Sequence, residues 1–472
     1  MNRYRKLFSN TVILGIGTFA SKLLVFLLMP LYTALLSTAE YSTAELIMGT
    51  ANLLIPIACV GISNGIFRFA CDKAQDKKKI FSSSVALLCC GLGGFLLLSP
   101  LLLLADYLRA YTWLIVAYVF FANLQSVCAQ YVRAVDKTKL FAIQGILNTL
   151  LTVLCNLLFL IVFDLGVVGY VLSVVVGNIV TTVFLILTAK LWQVFSVSSI
   201  DKGSMGELLR FSLPLIPTTL CWLITDLSDR YLVTYFCGAE VNGIYSAAYK
   251  IPTVVTLLSS IFMQAWQFSA VAEASDEEEC SRFYTNVFSG FISFVMIGAT
   301  GLLLFSGLLT RLLLSTSFHG AVLYMPTLLI SAALEALVSF LATVYLVRKK
   351  SMHSFLTAMA GAVLNILLNV WWIPLFDRLG YAALGAAIAT LTSYAAVLVI
   401  RLIDAPRWIT FRRYTLRVTG SALILLGLGA VVTFSLPYSI LWMTLLTVGM
   451  LALNGYPLWK SAAALLKKRG NG

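Results

Sequence analysis

The chain has 472 residues, of which 60% are hydrophobic and 11% are charged, with a formal net charge of +13. This composition excludes a water-soluble globular protein, in which charged residues make up about a quarter of the chain. The positive charge is spread over the gaps between apolar segments, and no nucleic-acid-binding motif accompanies it. Anionic membrane lipids therefore explain the charge better than nucleic acid, which is not expected as a partner.

Fourteen apolar segments follow one another along the chain, each long enough to cross a bilayer as a helix. About 20 apolar residues, rising 1.5 Å each, cover a hydrocarbon core of about 30 Å. The predicted fold is therefore an all-α polytopic membrane protein with 14 transmembrane helices. The predicted spans are 11–36, 43–69, 80–104, 111–132, 140–162, 166–188, 211–237, 242–270, 285–309, 321–346, 352–375, 380–402, 416–436 and 440–459.

Basic residues are concentrated in alternate gaps between these spans. The even-numbered gaps and both tails hold most of them, including those at 77–79 and 412–413. The odd-numbered gaps hold only Arg109, Arg311 and Arg378. Because loops rich in Lys and Arg stay on the cytoplasmic side, both termini are predicted to be cytoplasmic.

The chain also shows signs of an internal repeat. Ala39 and Glu40 follow span one, and Ala239 and Glu240 follow span seven, 200 residues later in the numbering. Since six spans is an even number, two such halves would keep the same orientation, related by an axis along the membrane normal. The predicted organisation is an N-terminal six-helix lobe (1–188), a cytoplasmic linker (189–210), a C-terminal six-helix lobe (211–403), and helices 13 and 14 with a cytoplasmic tail (404–472).

Two facing halves are typical of a transporter, and we find no filter-like segment that would indicate a channel. The two histidines, His319 and His353, lie beside no nucleophile or metal-ligand set. No phosphate-binding loop is present, so ATP is not expected to be the direct energy source. The nine cysteines lack metal-site spacing and are interpreted as small packing residues. The sequence therefore predicts neither enzyme activity, nor a cofactor, nor a metal site.

Ionisable residues deep in a span cost about 2.5–3.5 kcal/mol each on insertion scales, so they usually face a cavity or a partner. Arg68, at the end of span two, is either an interfacial anchor or part of such a cavity. The amides of Gln264, Asn365 and Asn369 are weak signals, since such groups often join helices. The deep charges are Lys22 in span one, Asp226, Asp229 and Arg230 in span seven, Lys250 in span eight and Glu335 in span ten.

Three of these charges have a specific interpretation. Asp226 and Arg230 are four residues apart on one helical face and can form an ion pair, which would be a structural role. Glu335 stands at the centre of span ten and could exchange a proton during transport. Its alternative role is to hydrogen-bond a neighbouring helix or pair with a cation.

Several segments together resemble the polysaccharide (oligosaccharide) flippase family of the multidrug/oligosaccharidyl-lipid/polysaccharide exporter superfamily. The resemblance covers most of spans one to eight. Its segments are Ser21-Lys22, Pro30-Leu31-Tyr32-Thr33, Leu36-Ser37, Gly61-Ile62, Phe67-Arg68-Phe69, Arg133-Ala134, Asp136-Lys137, Asn148, Ser228-Asp229-Arg230-Tyr231-Leu232, Gly243-Ile244-Tyr245-Ser246, Tyr249-Lys250-Ile251-Pro252 and Gln264-Ala265-Trp266.

The resemblance implies an alternating-access flippase of the bacterial cytoplasmic membrane. Its cargo would be an undecaprenyl-diphosphate-linked oligosaccharide used for cell-surface polysaccharide biosynthesis, and H⁺ or Na⁺ is the candidate coupling ion. Lys22, Arg68, Arg230, Lys250 and Gln264 would contact the cargo, because a diphosphate requires cations. The charges assigned to coupling or structure are Asp226, Asp229 and Glu335.

Two alternatives stay open from the sequence. A multidrug cation antiporter of the same superfamily would favour a cavity dominated by carboxylates and aromatic rings. A flippase for a peptidoglycan lipid precursor would carry a chemically similar cargo.

Overall fold

The computed structural model describes residues 26–472 apart from 73–74, 105, 273–276, 349, 382, 435–436 and 471–472. Within helices, the side chains at 106–107, 264–265, 267–272, 277, 279, 346, 351 and 461–470 also lie outside the description. The described residues form helices and connecting turns, with no β-strand among them. The α-helices are α1 (Met29–Leu35), α2 (Thr38–Ala58), α3 (Ile62–Ala70), α4 (Lys77–Leu98), α5 (Asp106–Arg109), α6 (Thr112–Ala134), α7 (Thr138–Asn156), α8 (Gly166–Ala189), α9 (Leu191–Val194), α10 (Lys202–Ser212), α11 (Ile216–Cys237), α12 (Ala239–Lys250), α13 (Thr253–Ala272), α14 (Glu277–Leu304), α15 (Ser306–Leu313), α16 (Met325–Val347), α17 (Ser351–Arg378), α18 (Leu384–Asp404), α19 (Thr415–Phe434) and α20 (Ser439–Gly470).

The helices confirm an all-α polytopic membrane protein. Among the described residues, 11 helical stretches are long and apolar enough to cross a membrane, and two bent helix pairs raise the number to as many as 13. These 13 stretches coincide with the second to fourteenth predicted spans. The first predicted span lies mostly outside the described residues, so the count of 14 stays a prediction.

The second predicted span is broken rather than continuous. Helix α2 begins at a capping box, in which the Glu40 amide donates to Ser37 Oγ (3.2 Å) and the Ser37 amide donates to Glu40 Oε2 (2.9 Å). Helices α2 and α3 meet at 53°. Val60 and Gly61 adopt left-handed φ values of 51° and 68° at the break. Such a conformation cannot continue a helix, so the chain changes direction here.

Two compact units divide the chain, one ending at Leu227 and the other beginning at Ser228. The division falls inside α11, which therefore contributes residues to both units. Each unit has its own core. In the first unit, α6 and α7 pack against α8, whereas α16 and α17 pack against α18 in the second.

The predicted linker region is hydrogen-bonded to the first unit. The Ser196 amide donates to Ser82 Oγ (3.0 Å), and the Asp201 amide donates to Ser83 Oγ (3.1 Å). Asp201 then caps α10, because its Oδ2 accepts from the Ser204 amide (2.7 Å). This hydrogen bond lowers the pKa of the Asp201 carboxyl below its ordinary value. The segment is thus an ordered part of the first unit.

In the second unit, α19 and α20 are joined to the other helices by specific polar contacts. Arg417 of α19 donates to Ser289 Oγ of α14 (2.9 Å), and Asn454 of α20 donates to Ser421 Oγ of α19 (2.8 Å). Nearby, Phe340 stacks on Trp266 and Phe288, with ring centroids 5.0 and 5.1 Å apart. The two hydrogen bonds join α19 to α14 and α20 to α19, and the stacked rings belong to the core of the second unit.

Candidate functional site

The structure places two predicted cargo-binding cations on bent spans, Arg68 in the last turn of α3 and Lys250 at the bend itself. Arg68 is exposed on α3, the second segment of the broken span two. Lys250 is half-buried and is the last residue of α12, which meets α13 at 41°. The two bent spans are the second in each predicted six-span half. Helix breaks free backbone groups and allow charged side chains to reach polar surroundings inside a membrane.

Arg230 contacts the residue that precedes Lys250 in α12. The Arg230 guanidinium carbon is 5.7 Å from the centroid of the Tyr249 ring, in cation–π geometry. Tyr249 immediately precedes Lys250. Arg230 is half-buried, and its Nε atom is buried. Arg230 of α11 therefore contacts the last turn of α12, the turn that carries Lys250.

Asp229 is fully buried and is held by three neutral donors from three helices. Its carboxylate accepts hydrogen bonds from Tyr245 Oη of α12 (2.9 Å), Asn369 Nδ2 of α17 (2.6 Å) and Thr390 Oγ1 of α18. All four side chains are buried. Asp229 forms no ion pair with any residue that the structure describes. Among the described residues, the carboxylate thus has only neutral partners inside the unit.

A second layer of polar groups surrounds this carboxylate. Asn365 Nδ2 donates to Thr390 Oγ1 (3.2 Å), and Asn365 Oδ1 accepts from Ser228 Oγ (2.9 Å) and Asn369 Nδ2 (3.1 Å). Asn369 Oδ1 is buried and has no hydrogen-bond donor among the described residues. The polar groups joined by hydrogen bonds around Asp229 thus include one carboxylate, two amides and a threonine hydroxyl. Such an oxygen-rich set can accept a proton or a small hard cation.

The remaining predicted site residues occupy different environments. Glu335 of α16 is half-buried and accepts a hydrogen bond from Thr256 Oγ1 (3.4 Å). Asp226 is exposed, and its predicted ion pair with Arg230 stays a prediction. Lys22 lies outside the described residues. Gln264 belongs to α13, and its side chain is also outside the described part of the chain.

A buried carboxylate in the first unit was missed by sequence reasoning. Glu45 of α2 is 3% exposed and accepts a hydrogen bond from Tyr170 Oη of α8 (3.0 Å). The Tyr170 ring packs edge-on against Tyr32, with centroids 4.7 Å apart. Glu45 is only the third residue of the predicted span 43–69, so it resembled an interfacial charge. The helix in fact begins at Thr38, which places Glu45 two turns inside it.

Solved structures with the same fold are membrane transporters. An inward-facing multidrug resistance MATE family transporter of the MOP superfamily matches with a TM-score of 0.67 and 13% identity, over 84% of this chain and 98% of that chain. An outward-facing structure of such a transporter matches with a TM-score of 0.62 and 14% identity, over 87% and 96%. A MOP superfamily transporter from Pyrococcus furiosus Vc1 (DSM3638), described by a reverse polarity of its binding pocket that suggests a different function, matches with a TM-score of 0.63 and 12% identity, over 87% and 96%.

The membrane-spanning helices of this chain therefore have the fold of MOP superfamily transporters. A family model for polysaccharide biosynthesis proteins matches residues 7–268, more than half of the chain. The chain therefore belongs to the polysaccharide biosynthesis protein family. No curated protein matches it significantly.

Proposed function

We propose that the protein is an alternating-access flippase that moves a polyprenyl-diphosphate-linked oligosaccharide across the bacterial cytoplasmic membrane. The family membership supports a role in polysaccharide biosynthesis, and the fold supports transport without chemical change of the cargo. Both termini would be cytoplasmic. The proposed cargo contacts are Lys22 and Arg68 in the first unit and Arg230, Lys250 and Gln264 in the second.

The distribution of charge in the second unit is the observation that carries the proposal. Arg230 contacts Tyr249, the residue before Lys250, and both cations are half-buried, whereas Asp229 is fully buried among neutral donors. Two partly exposed cations favour an anionic cargo such as a diphosphate. A drug cation would favour the opposite balance, with accessible carboxylates outnumbering the cations, whereas Asp226 is the one exposed carboxylate of α11. The Pyrococcus transporter of similar fold is itself described by reversed pocket polarity, in keeping with different cargoes on one fold.

We assign ion coupling to Asp229, with Glu335 as the second candidate. Without a neutralising ion, Asp229 keeps a full negative charge among neutral donors inside a membrane-spanning helix, which is costly. A proton or Na⁺ would neutralise it, and the donor-less Asn369 Oδ1 is available to either ion. Binding of the ion in one state and release in the other would link transport to an ion gradient.

The cargo is tested by mass spectrometry of lipids that copurify with the full-length protein from a strain making a lipid-linked oligosaccharide. We expect the wild-type protein to retain a polyprenyl-diphosphate glycan, because the accessible cations bind its diphosphate. Arg230→Gln should lose that lipid and reduce surface polysaccharide export. Arg311→Gln, which removes an exposed charge outside the proposed site, should keep both.

Other outcomes identify the alternatives. Retention of a lipid that carries a peptide-substituted disaccharide would indicate a peptidoglycan lipid-precursor flippase. Binding of cationic drugs, together with no retained diphosphate lipid, would indicate a multidrug antiporter. Normal retention and export by Arg230→Gln would remove Arg230 from the cargo site.

A further inference from the structure

A short basic segment joins two candidate spans at one edge of the second unit. Residues 405–414, here called the basic ledge, connect α18 to α19. The spans on either side end and begin at Arg407 and Thr415, so the ledge lies where membrane and water meet. Its sequence contains Arg407, Arg412 and Arg413 and no acidic residue.

The basic ledge is anchored rather than loose. Ile409 and Phe411 are 2% and 8% exposed. The Phe411 ring packs on Phe288 of α14, with centroids 5.7 Å apart, and the Arg412 amide donates to Thr285 Oγ1 of the same helix (3.1 Å). The buried Ile409 and Phe411 precede the exposed Arg412 and Arg413. The arginines are therefore presented from a fixed surface, which lowers the entropy cost of binding a ligand.

Two of the three arginines remain available for an anion. The charge of Arg407 is balanced by an ion pair with Asp404, since Arg407 Nη1 lies 3.3 Å from Asp404 Oδ1. Arg412 and Arg413 are exposed, and neither forms an ion pair with a described residue. The Arg412 guanidinium lies over the Tyr414 ring at 5.1 Å, which orients it without neutralising it. Among the described residues, Arg412 and Arg413 thus carry positive charge that no acidic side chain pairs, beside an aromatic ring of the kind found at membrane interfaces.

The surface next to the arginines is apolar and points away from the protein. Leu416 is 92% exposed, and Leu423, seven residues later on the same face of α19, is 62% exposed. This face runs from the ledge along a candidate span. A soluble anion would match the arginines alone, whereas a lipid would match both the arginines and the leucines.

We propose that the basic ledge binds the headgroup of an anionic phospholipid. Arg412 and Arg413 contact its phosphate, and its acyl chains lie along Leu416 and Leu423 of α19. The site uses none of the proposed cargo contacts, and it holds a resident membrane lipid rather than the transported one. Basic clusters directly beside membrane spans are well suited to such headgroups.

The test is titration of the full-length, detergent-solubilised protein with phosphatidylglycerol, followed by native mass spectrometry. Each arginine near an anionic lipid surface contributes about fivefold in affinity, so Arg412→Gln with Arg413→Gln should weaken binding by about thirtyfold. Arg109→Gln with Arg311→Gln is the matched control, since it removes the same charge from exposed positions elsewhere. The control should bind as the wild type does, and phosphatidylcholine should bind weakly to all three.

Three outcomes would overturn the proposal. The ledge variant could bind phosphatidylglycerol as the wild type does, or the control could lose as much affinity as the ledge variant. Competition by inorganic phosphate at the same concentration as the lipid would mean that the acyl chains add nothing, and that the ledge is not a lipid site. Circular dichroism of both double variants distinguishes lost binding from lost folding, and Arg412→Lys with Arg413→Lys should restore binding.

Discussion

Asp229 is the residue whose surroundings constrain the mechanism most. Its carboxylate accepts hydrogen bonds from a tyrosine, an asparagine and a threonine, and no cation balances its charge within the described residues. Glu335, by contrast, is half-buried, with a longer hydrogen bond from Thr256. A sealed carboxylate responds more strongly to a neutralising ion than a partly solvated one, because its charged form has no water to stabilise it. The two carboxylates therefore make distinguishable predictions.

We expect Asp229→Asn to uncouple transport from the ion gradient. The amide keeps the size of the carboxylate but cannot bind a proton or balance Na⁺. In proteoliposomes, the variant should lose the acceleration caused by an imposed H⁺ or Na⁺ gradient and keep gradient-independent cargo exchange. Comparing the two gradients on the wild type identifies the ion, since a Na⁺-coupled protein does not respond to a pH gradient alone.

Glu335→Gln is the matched comparison, because it makes the same chemical change on a different helix of the same unit. We expect it to keep gradient dependence if Asp229 binds the ion. Loss of coupling in Glu335→Gln with full coupling in Asp229→Asn would transfer the role to Glu335. Full coupling in both variants would leave both residues with structural roles only.

At the level of helices, hydropathy predicted the spans well but not their breaks or their contacts. The second to fourteenth spans coincide with helical stretches because each is a continuous apolar run. The break at Val60 and Gly61 depends on left-handed φ values, which an apolar run does not reveal. The partners of Asp229 are 16, 140 and 161 residues away in the chain, so the sequence could identify the charge but not the residues that enclose it. Asn365 and Asn369 appeared only as weak signals for the same reason.

The packing of α17 on α18 gives a direct test of one helix contact. A Cβ atom at Gly385 of α18 would lie 2.5 Å from the backbone oxygen of Trp372 in α17. Because backbone cannot move aside as a flexible side chain does, Gly385→Ala should separate the two helices and destabilise the protein by about 1–3 kcal/mol. The measurement is the thermal unfolding temperature of the detergent-solubilised protein, which should fall.

Gly301→Ala in α14 is the control for this substitution. A Cβ atom there would meet nothing within 4 Å, so no contact changes. Its unfolding temperature should equal or slightly exceed that of the wild type, since alanine favours a helix more than glycine does. Equal unfolding temperatures for both variants would show that α17 and α18 do not approach as closely as the structure describes.

For the whole molecule, orientation depends on charge and on the number of spans. The structure divides the chain into two units and identifies the spans, whereas the side of the membrane on which each loop lies comes only from the asymmetry of basic residues. This asymmetry also bears on the basic ledge. If residues 405–414 face the cytoplasm, the ledge meets the leaflet that the positive-inside rule associates with basic loops.

We expect Asp377 to face the outside and Arg413 to face the cytoplasm. Single cysteines at these exposed positions, in a chain without its nine native cysteines, can be labelled with a membrane-impermeant maleimide. Asp377→Cys should react in intact cells, and Arg413→Cys only after permeabilisation. Only α18 lies between the two positions as a span, so they must be on opposite sides whether or not the total is 14. The reverse labelling pattern would invert the predicted topology, and labelling of both from the same side would mean that α18 does not cross the membrane.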